Sequence, residues 1–349
     1  MGSFLMGTKE SQLEPFAAYR APVRVALEEV VDSCPAVLRD MLRYHLGWQD
    51  EHGRACDGES GKFIRSTLCF LSCQAVGGDT SQVVPAAAAI ELVHNFSLIH
   101  DDIQDASDER HHRPTVWKLW GQSQAINAGD AMFTVAYLAL VKLKERGISD
   151  EKICGSIRML SLACLELCEG QYLDIEYEKR VDTTIKDYLN MAAKKTAALF
   201  AASTYLGAYL SSEDSKLVDS FYLFGRDLGI AYQIRDDVLG IWGVEERVGK
   251  SVGDIPQRKK TLPIVYGLQN SKGEASKRLR KLYSQESMKG DEIAEVRKIL
   301  GQLGARDYAE NLAEEYYRKA LACLAAAKLD ASRQASLKEI AHFLLKREF

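Results

Sequence analysis

The 349-residue chain is long enough to bury a substantial core, carries a formal charge of -4, and scatters its Lys and Arg rather than clustering them. That balance excludes the whole-molecule basic field that nucleic acid or an anionic membrane requires, so any anion site is local. The longest strongly apolar run, Ala131 to Val141, falls short of the roughly 20 residues that cross a bilayer, and no membrane span is expected.

The amino end shows no basic segment leading into a long apolar stretch, and Met1-Gly2 lacks the Ser or Thr that myristoylation prefers. A cytoplasmic protein is expected, with residues 1–14 as a short flexible segment. Gly61-Lys62-Phe63-Ile64-Arg65 sets two cations three apart, on one face of a helix. Cys69/Cys73, like Cys164/Cys168 later, are spaced by four inside apolar helical patterns, and no CxxC occurs, so buried reduced thiols are expected rather than a disulfide or zinc framework.

After a break at Gly77-Gly78-Asp79, an apolar helix running from Glu91 ends in Asp101, Asp102 and Asp105. Asp101 and Asp105 lie one turn apart on one face, and like charges so placed repel. A hard cation between the oxygens relieves the repulsion, and magnesium commonly takes one or two carboxylates together with substrate phosphates. The competing reading is a solvated acidic helix end, which the helix dipole does not favour at a carboxyl terminus.

A polar stretch from Ser107 to Pro114 follows, and no proline then occurs until Pro256. Nothing in that interval must interrupt a helix. Ala131 to Val141 and Leu160 to Leu167 are apolar on most faces, as in helices buried within a bundle. Lys194-Lys195-Thr196 enters the apolar stretch Met191 to Ala202, where an unpartnered Lys would be costly. Beyond a break at Ser211 to Asp214, a second acidic pair, Asp236-Asp237, closes the apolar run from Gly229. Cations follow at Lys250 and in Arg258-Lys259-Lys260-Thr261-Leu262-Pro263, and carboxylates for metal beside cations for phosphate suit a diphosphate. Further breaks fall at Val244 to Pro256 and Asn270 to Gly273, and the last sixty residues read as charged amphipathic helices. A single all-helical domain spanning 1–349 is the economical architecture.

Taken in order, Gly61-Lys62 to Arg65, Leu98 through Asp105, Arg110 to Thr115, Ala128-Gly129-Asp130, Gly170-Gln171 to Asp174, Lys195-Thr196, Tyr232-Gln233 to Asp237, Gly249-Lys250 and Lys259 to Pro263 resemble the trans-type isoprenyl diphosphate synthases. The resemblance implies an all-α isoprenoid-synthase bundle around a deep cavity, usually a homodimer. It implies three magnesium ions held at Asp101, Asp102, Asp105 and Asp236 with Asp237 close by. Lys195, Thr196, Gln233 and Lys250 would be catalytic, and Arg110, Lys195, Gln233, Lys250 and Lys259 would hold the allylic diphosphate. Lys62, Arg65 and His94, with His111, match the isopentenyl diphosphate site, and Gln171 and Asp174 belong to the cavity.

Implied by the same resemblance is a magnesium-dependent condensation of an allylic diphosphate with isopentenyl diphosphate. Phe96 and Ser97, five and four positions before Asp101, would gate product length. An aromatic followed by a small residue resembles the pattern that yields a geranylgeranyl product. Departures are His111 where the family carries arginine, Phe63 and Ser66 in the first basic motif, and Gly240 in place of the last aspartate of the second cluster. His111 offers one donor instead of a guanidinium fork, which weakens acceptor binding unless Arg113 substitutes. Zinc at His111-His112 is disfavoured, because adjacent side chains do not readily face one site. The alternatives to a synthase are a terpene cyclase and a catalytically silent partner subunit.

Overall fold

The computed structural model describes residues 18–56, 58, 61–243, 253–285 and 288–347. Among them the structure is helical apart from turns and connecting segments, an isolated antiparallel bridge between Gln49 and Ala55, and one antiparallel two-residue ladder, Glu109–Arg110 (β1) with Arg113–Pro114 (β2). In chain order the helices are α1 (Arg20–Asp32), α2 (Ala36–His45), α3 (Ile64–Val76), α4 (Val84–Gln104), α5 (Val116–Trp120), α6 (Gln122–Val141), α7 (Asp150–Glu178) and α8 (Ile185–Ala192). They continue as α9 (Ala198–Ser211), α10 (Ser215–Trp242), α11 (Leu262–Asn270), α12 (Gly273–Tyr283), α13 (Gly290–Gln302), α14 (Ala305–Ala326) and α15 (Ala331–Lys346).

Local chemistry starts and stops these elements. Pro85 stands in the first turn of α4, where its missing N–H costs nothing. The Ser149 side chain accepts from Lys152 N–H at the head of α7, and Asp214 accepts from Lys216 and Leu217 N–H at the head of α10. Thr184 and Asp187 form a reciprocal capping box on α8. Between α8 and α9 the helix widens into a π turn, Ala193–Ala197, which carries Lys195 and Thr196.

The core lies on both sides of the α3–α4–α9 group. One cluster joins Leu27, Phe70, Leu92, Met132 and Leu199; another joins Phe200, Phe221, Phe224, Leu337 and Leu344. The breaks foreseen at 77–79, 107–114, 211–214 and 270–273 fall at helix ends. Residues 1–14, Gly249, Lys250 and most of Val244–Pro256 lie outside the described residues.

Four expectations need correction. Leu138 and Val141 on α6 and Leu162 and Leu165 on α7 are exposed, because these helices bury one side and leave the other uncovered. The segment Gln122–Arg146 is long and apolar enough to cross a membrane, since small residues extend the apolar run toward its start; its Ala125, Ala128, Met132 and Val135 are buried in the bundle. Cys69, Cys73 and Cys164 are buried thiols, but Cys168 is exposed and lines the central cavity. Finally, α3 begins at Ile64, so Lys62 precedes the helix, and Phe63 takes a left-handed conformation at φ 51°.

Candidate active site

The apolar face of α4 fixes the helix in the core and thereby aims its polar end at an opening. Asp101 and Asp102 occupy the last turn, and Asp105 is the C-cap residue. Three carboxylates at the negative end of a helix dipole need cations, and each finds one on a different segment. Asp102, 3% exposed, is gripped by Arg110, whose Nε lies 3.0 Å from both carboxylate oxygens and whose Nη2 lies 2.7 Å from Oδ1. Arg110 is turned onto α4 by a tight hairpin in which His111 and His112 both have positive φ, 52° and 59°. Asp105 pairs with Lys259 at 2.5 Å, and Asp101 accepts from Gln171 Nε2 at 2.7 Å and lies 3.6 Å from Lys195.

Lys195 leaves its π turn to meet Asp174 of α7 at 2.5 Å. Burial alone would favour the neutral amine, but Asp101 and Asp174 outweigh it and hold the ammonium above its ordinary pKa. Lys259 is raised in the same way, its burial and the nearby Lys195 outweighed by Asp174, Asp105 and Asp101. The next residue along the π turn, Thr196, donates its hydroxyl to Gln233 Oε1 at 2.5 Å.

On α10, Asp236 is exposed and pairs with Arg347 at 2.8 Å. Asp237 is buried, and both its oxygens are taken: Oδ1 accepts from Gln233 Nε2 at 2.8 Å and Oδ2 from the Leu262 N–H that opens α11, also at 2.8 Å. Burial pushes this carboxyl up to about 8. The resemblance sets Asp101, Asp102, Asp105 and Asp236 as metal ligands with Asp237 close by; in the structure Asp102 and Asp237 have both carboxylate oxygens on protein donors.

Below this mouth is a cavity of about 590 Å³. One side is basic, with Lys62, Arg65, His94 and His111; the depth is lined by Phe96, Ser97, Leu167 and Leu199. Phe96 is buried and meets Phe133 edge-on at 5.0 Å between centroids, while Ser97 turns its hydroxyl back to His94 O at 2.7 Å. Arg113 does not substitute for the missing arginine. It is stacked on Tyr44 and donates to Tyr44 O and Gln49 O at 3.2 and 2.7 Å.

The polyprenyl synthetase family model matches residues 50–300. The chain belongs to that family. A farnesyl diphosphate synthase of Mycobacterium bovis is 37% identical over 327 residues, covering 92% of this chain and 89% of the relative. A geranylgeranyl diphosphate synthase of Mycobacterium tuberculosis is 38% identical over 332 residues, covering 94% and 92%. The crystal structure of a polyprenyl synthetase from Streptomyces coelicolor superposes with a TM-score of 0.88 at 33% identity, covering 96% of this chain and 98% of that one. This polyprenyl synthetase is thus a chain-elongating trans-prenyltransferase with the all-α isoprenoid-synthase fold.

Two residues of the synthetase's site escape the sequence reading. Arg347, just past α15, is 5% exposed, stacked on Tyr232 at 3.9 Å, and reaches the cavity beside Arg65. Its carbonyl is fixed by Arg235 Nε and Nη2 at 3.0 and 2.9 Å. Arg65 and Arg347 each leave a buried Nε–H without an acceptor. Two guanidiniums thus face the same cavity, each with a spare buried donor. The second is Asp254, whose carboxylate fills the place of a side chain at Gly240; the glycine itself was the available signal.

Members of this family generally depend on Mg2+. Among the described residues, no three His, Cys, Asp or Glu side chains converge as an all-protein cage would require. The carboxylates nevertheless fit magnesium, which needs few protein oxygens when phosphates supply the rest.

Proposed function

We propose that the chain, as one helical domain, condenses isopentenyl diphosphate with an allylic diphosphate in head-to-tail elongation, with geranylgeranyl diphosphate as its main product. The observation that carries this reading is that Asp101, Asp102, Asp105 and Asp236 each meet a cation brought from another segment: Lys195, Arg110, Lys259 and Arg347. Such pairs can exchange partners: carboxylates turn to metal, and the freed Lys195 and Lys259 turn to phosphate oxygens.

Asp101, Asp105 and Asp236 would hold magnesium, three ions in all, with Asp102 and Asp237 setting the positions of Arg110, Gln233 and α11. When bound, magnesium supplies positive charge to the departing diphosphate. Lys195, Lys259 and Arg110 grip that diphosphate as the allylic carbon–oxygen bond breaks, with Lys250 expected to join them. Thr196 and Gln233 orient one another beside Lys195, and the isopentenyl double bond attacks the allylic cation. The released diphosphate takes the proton lost from the new chain. Leu167 and Leu199 keep water from the cation.

Lys62, Arg65, His94 and Arg347 would hold the acceptor's diphosphate, with His111 at its edge. Phe96 and Ser97 would set the length at which the growing tail stops. Homodimer formation is supported by the uncovered apolar side chains of α6 and α7, Ile126, Leu138, Val141, Leu162 and Leu165.

Incubation of the purified chain and magnesium with dimethylallyl, geranyl or farnesyl diphosphate, with and without isopentenyl diphosphate, tests the reading by product mass. Elongation only with the acceptor supports it. Hydrocarbon formed without the acceptor makes the chain a cyclase, and no product at all makes it a silent subunit.

A further inference from the structure

We propose that Lys260 is a positioning residue for the allylic diphosphate: its buried ammonium fastens the carboxyl end of α7 to the turn that carries Lys259, and so sets where Lys259 stands. The inference rests on the function proposed above and adds to it a residue that acts through Lys259 rather than by gripping phosphate itself.

The two lysines are neighbours in the chain with different destinations. Lys259 reaches across the mouth to Asp105 at 2.5 Å. Lys260 is 1% exposed, and its Nζ donates to Glu178 O at 3.0 Å and to Arg258 O at 3.4 Å while lying 4.9 Å from the centre of the Tyr283 ring. Glu178 is the last residue of α7, and the last carbonyls of a helix have no partner inside it. A cation at that end meets both an orphan oxygen and the negative end of the helix dipole.

The tie matters because of what each side carries. Helix α7 brings Gln171 to Asp101 and Asp174 to Lys195, and the turn brings Lys259 to Asp105. Lys260 thus joins two segments that serve the first acidic cluster. Before Lys259, Arg258 takes a left-handed conformation at φ 58° and donates from Nη1 to Gln285 O at 2.8 Å. After Lys260, Thr261 leads into α11, whose Leu262 N–H is held by Asp237.

Stability alone does not call for an ammonium here. Its hydrogen bonds go to carbonyls, and burial first, then the charge of Arg258, pushes it down to about 8 against the pull of Glu178. Burying such a charge is costly, and an apolar side chain of similar length would fill the space at less cost. That side chain could not hold Glu178 O and Arg258 O together. A shift of about 1 Å in a group that grips substrate is enough to weaken its action.

The test compares Lys260→Met, Lys259→Met and the double variant in the full chain. It measures binding of inorganic diphosphate with Mg2+ by calorimetry, the Michaelis constant of each substrate, and Tm. Lys260→Met should weaken diphosphate binding about tenfold and raise the constant for the allylic donor, with that for isopentenyl diphosphate and Tm nearly unchanged. Once Lys259 is replaced, adding Lys260→Met should weaken binding by less than about twofold, because the group it positions is gone. Lys260→Gln keeps an N–H for Glu178 O and should recover part of the loss; it takes the place of Lys260→Met in the comparison if that variant unfolds. Unaltered diphosphate binding in a folded Lys260→Met overturns the proposal, as does an equal loss with and without Lys259. Failure of the unaltered chain to bind diphosphate with Mg2+ would instead overturn the function proposed above.

Discussion

Arg110 clasps Asp102 on both oxygens, with Nε 3.0 Å from each and Nη2 2.7 Å from Oδ1, inside a wall where Asp102 is only 3% exposed. Removing one partner leaves a buried charge uncompensated. Arg110→Met should therefore lose about 3–5 kcal/mol of unfolding free energy. Adding Asp102→Asn should recover much of that loss without restoring turnover. Denaturant titration and initial rates on both variants check this, and equal stability of the two would refute it.

His45 gives the fold a pH dependence. Asn95 donates its amide N–H to Glu91 O at 2.8 Å, which leaves Asn95 Oδ1 to accept from His45 Nε2–H at 3.1 Å. Burial first, then the charge of Arg110, push the imidazole down to about 3 from 6.5. The unfolded chain takes up this proton near 6.5 and the folded one resists it, so the contribution is intact above that pH and falls as pH drops toward 3. At 1.36 kcal/mol per unit, about 2 kcal/mol is lost by pH 5. Unfolding at pH 7.5 and 5.0 should show it, with a smaller loss in His45→Gln.

Gly170 on α7 faces the π turn so closely that a Cβ would sit 2.1 Å from Lys195 N and 2.5 Å from its Cα. Backbone cannot yield as a flexible side chain can. Gly170→Ala should cost about 1–3 kcal/mol of stability and should reduce turnover further by displacing Lys195 and Thr196. Normal turnover in a folded Gly170→Ala would show that the π turn tolerates movement.

Phe96 and Phe133 meet edge-on at 5.0 Å at the apolar end of the cavity. Opening that end with Phe96→Ala should shift the product distribution to chains longer than those of the unaltered enzyme, read by mass spectrometry. An unchanged distribution would place the stop elsewhere.

At the basic wall, Arg347→Met should raise the Michaelis constant for isopentenyl diphosphate more than that for the allylic donor. His111→Arg should lower the acceptor constant, because a guanidinium restores a fork of donors where imidazole offers one. Steady-state kinetics with each substrate varied in turn distinguishes these effects. An acceptor constant unmoved in both variants would remove them from its site.

The helical class could be read along the chain because helix formation is local: no proline between 114 and 256, and apolar residues at helical period. The acidic residues that follow apolar helical runs at Asp101 and Asp236, and the cations at Lys195 and Lys259, were visible for the same reason. Which charge meets which was not visible. Lys259 and Asp105 are 154 residues apart, and Arg347 and Asp236 are 111 apart. Asp254 stands in the space beside Gly240 only because a turn anchored by Ile255 folds back on α10. Local sequence sets backbone preference and hydrophobic period, whereas ion pairing depends on distances through space that exist only once the helices have packed. The same holds for the outer faces of α6 and α7: their apolar pattern lies in the sequence, but which side is covered was decided by the neighbours.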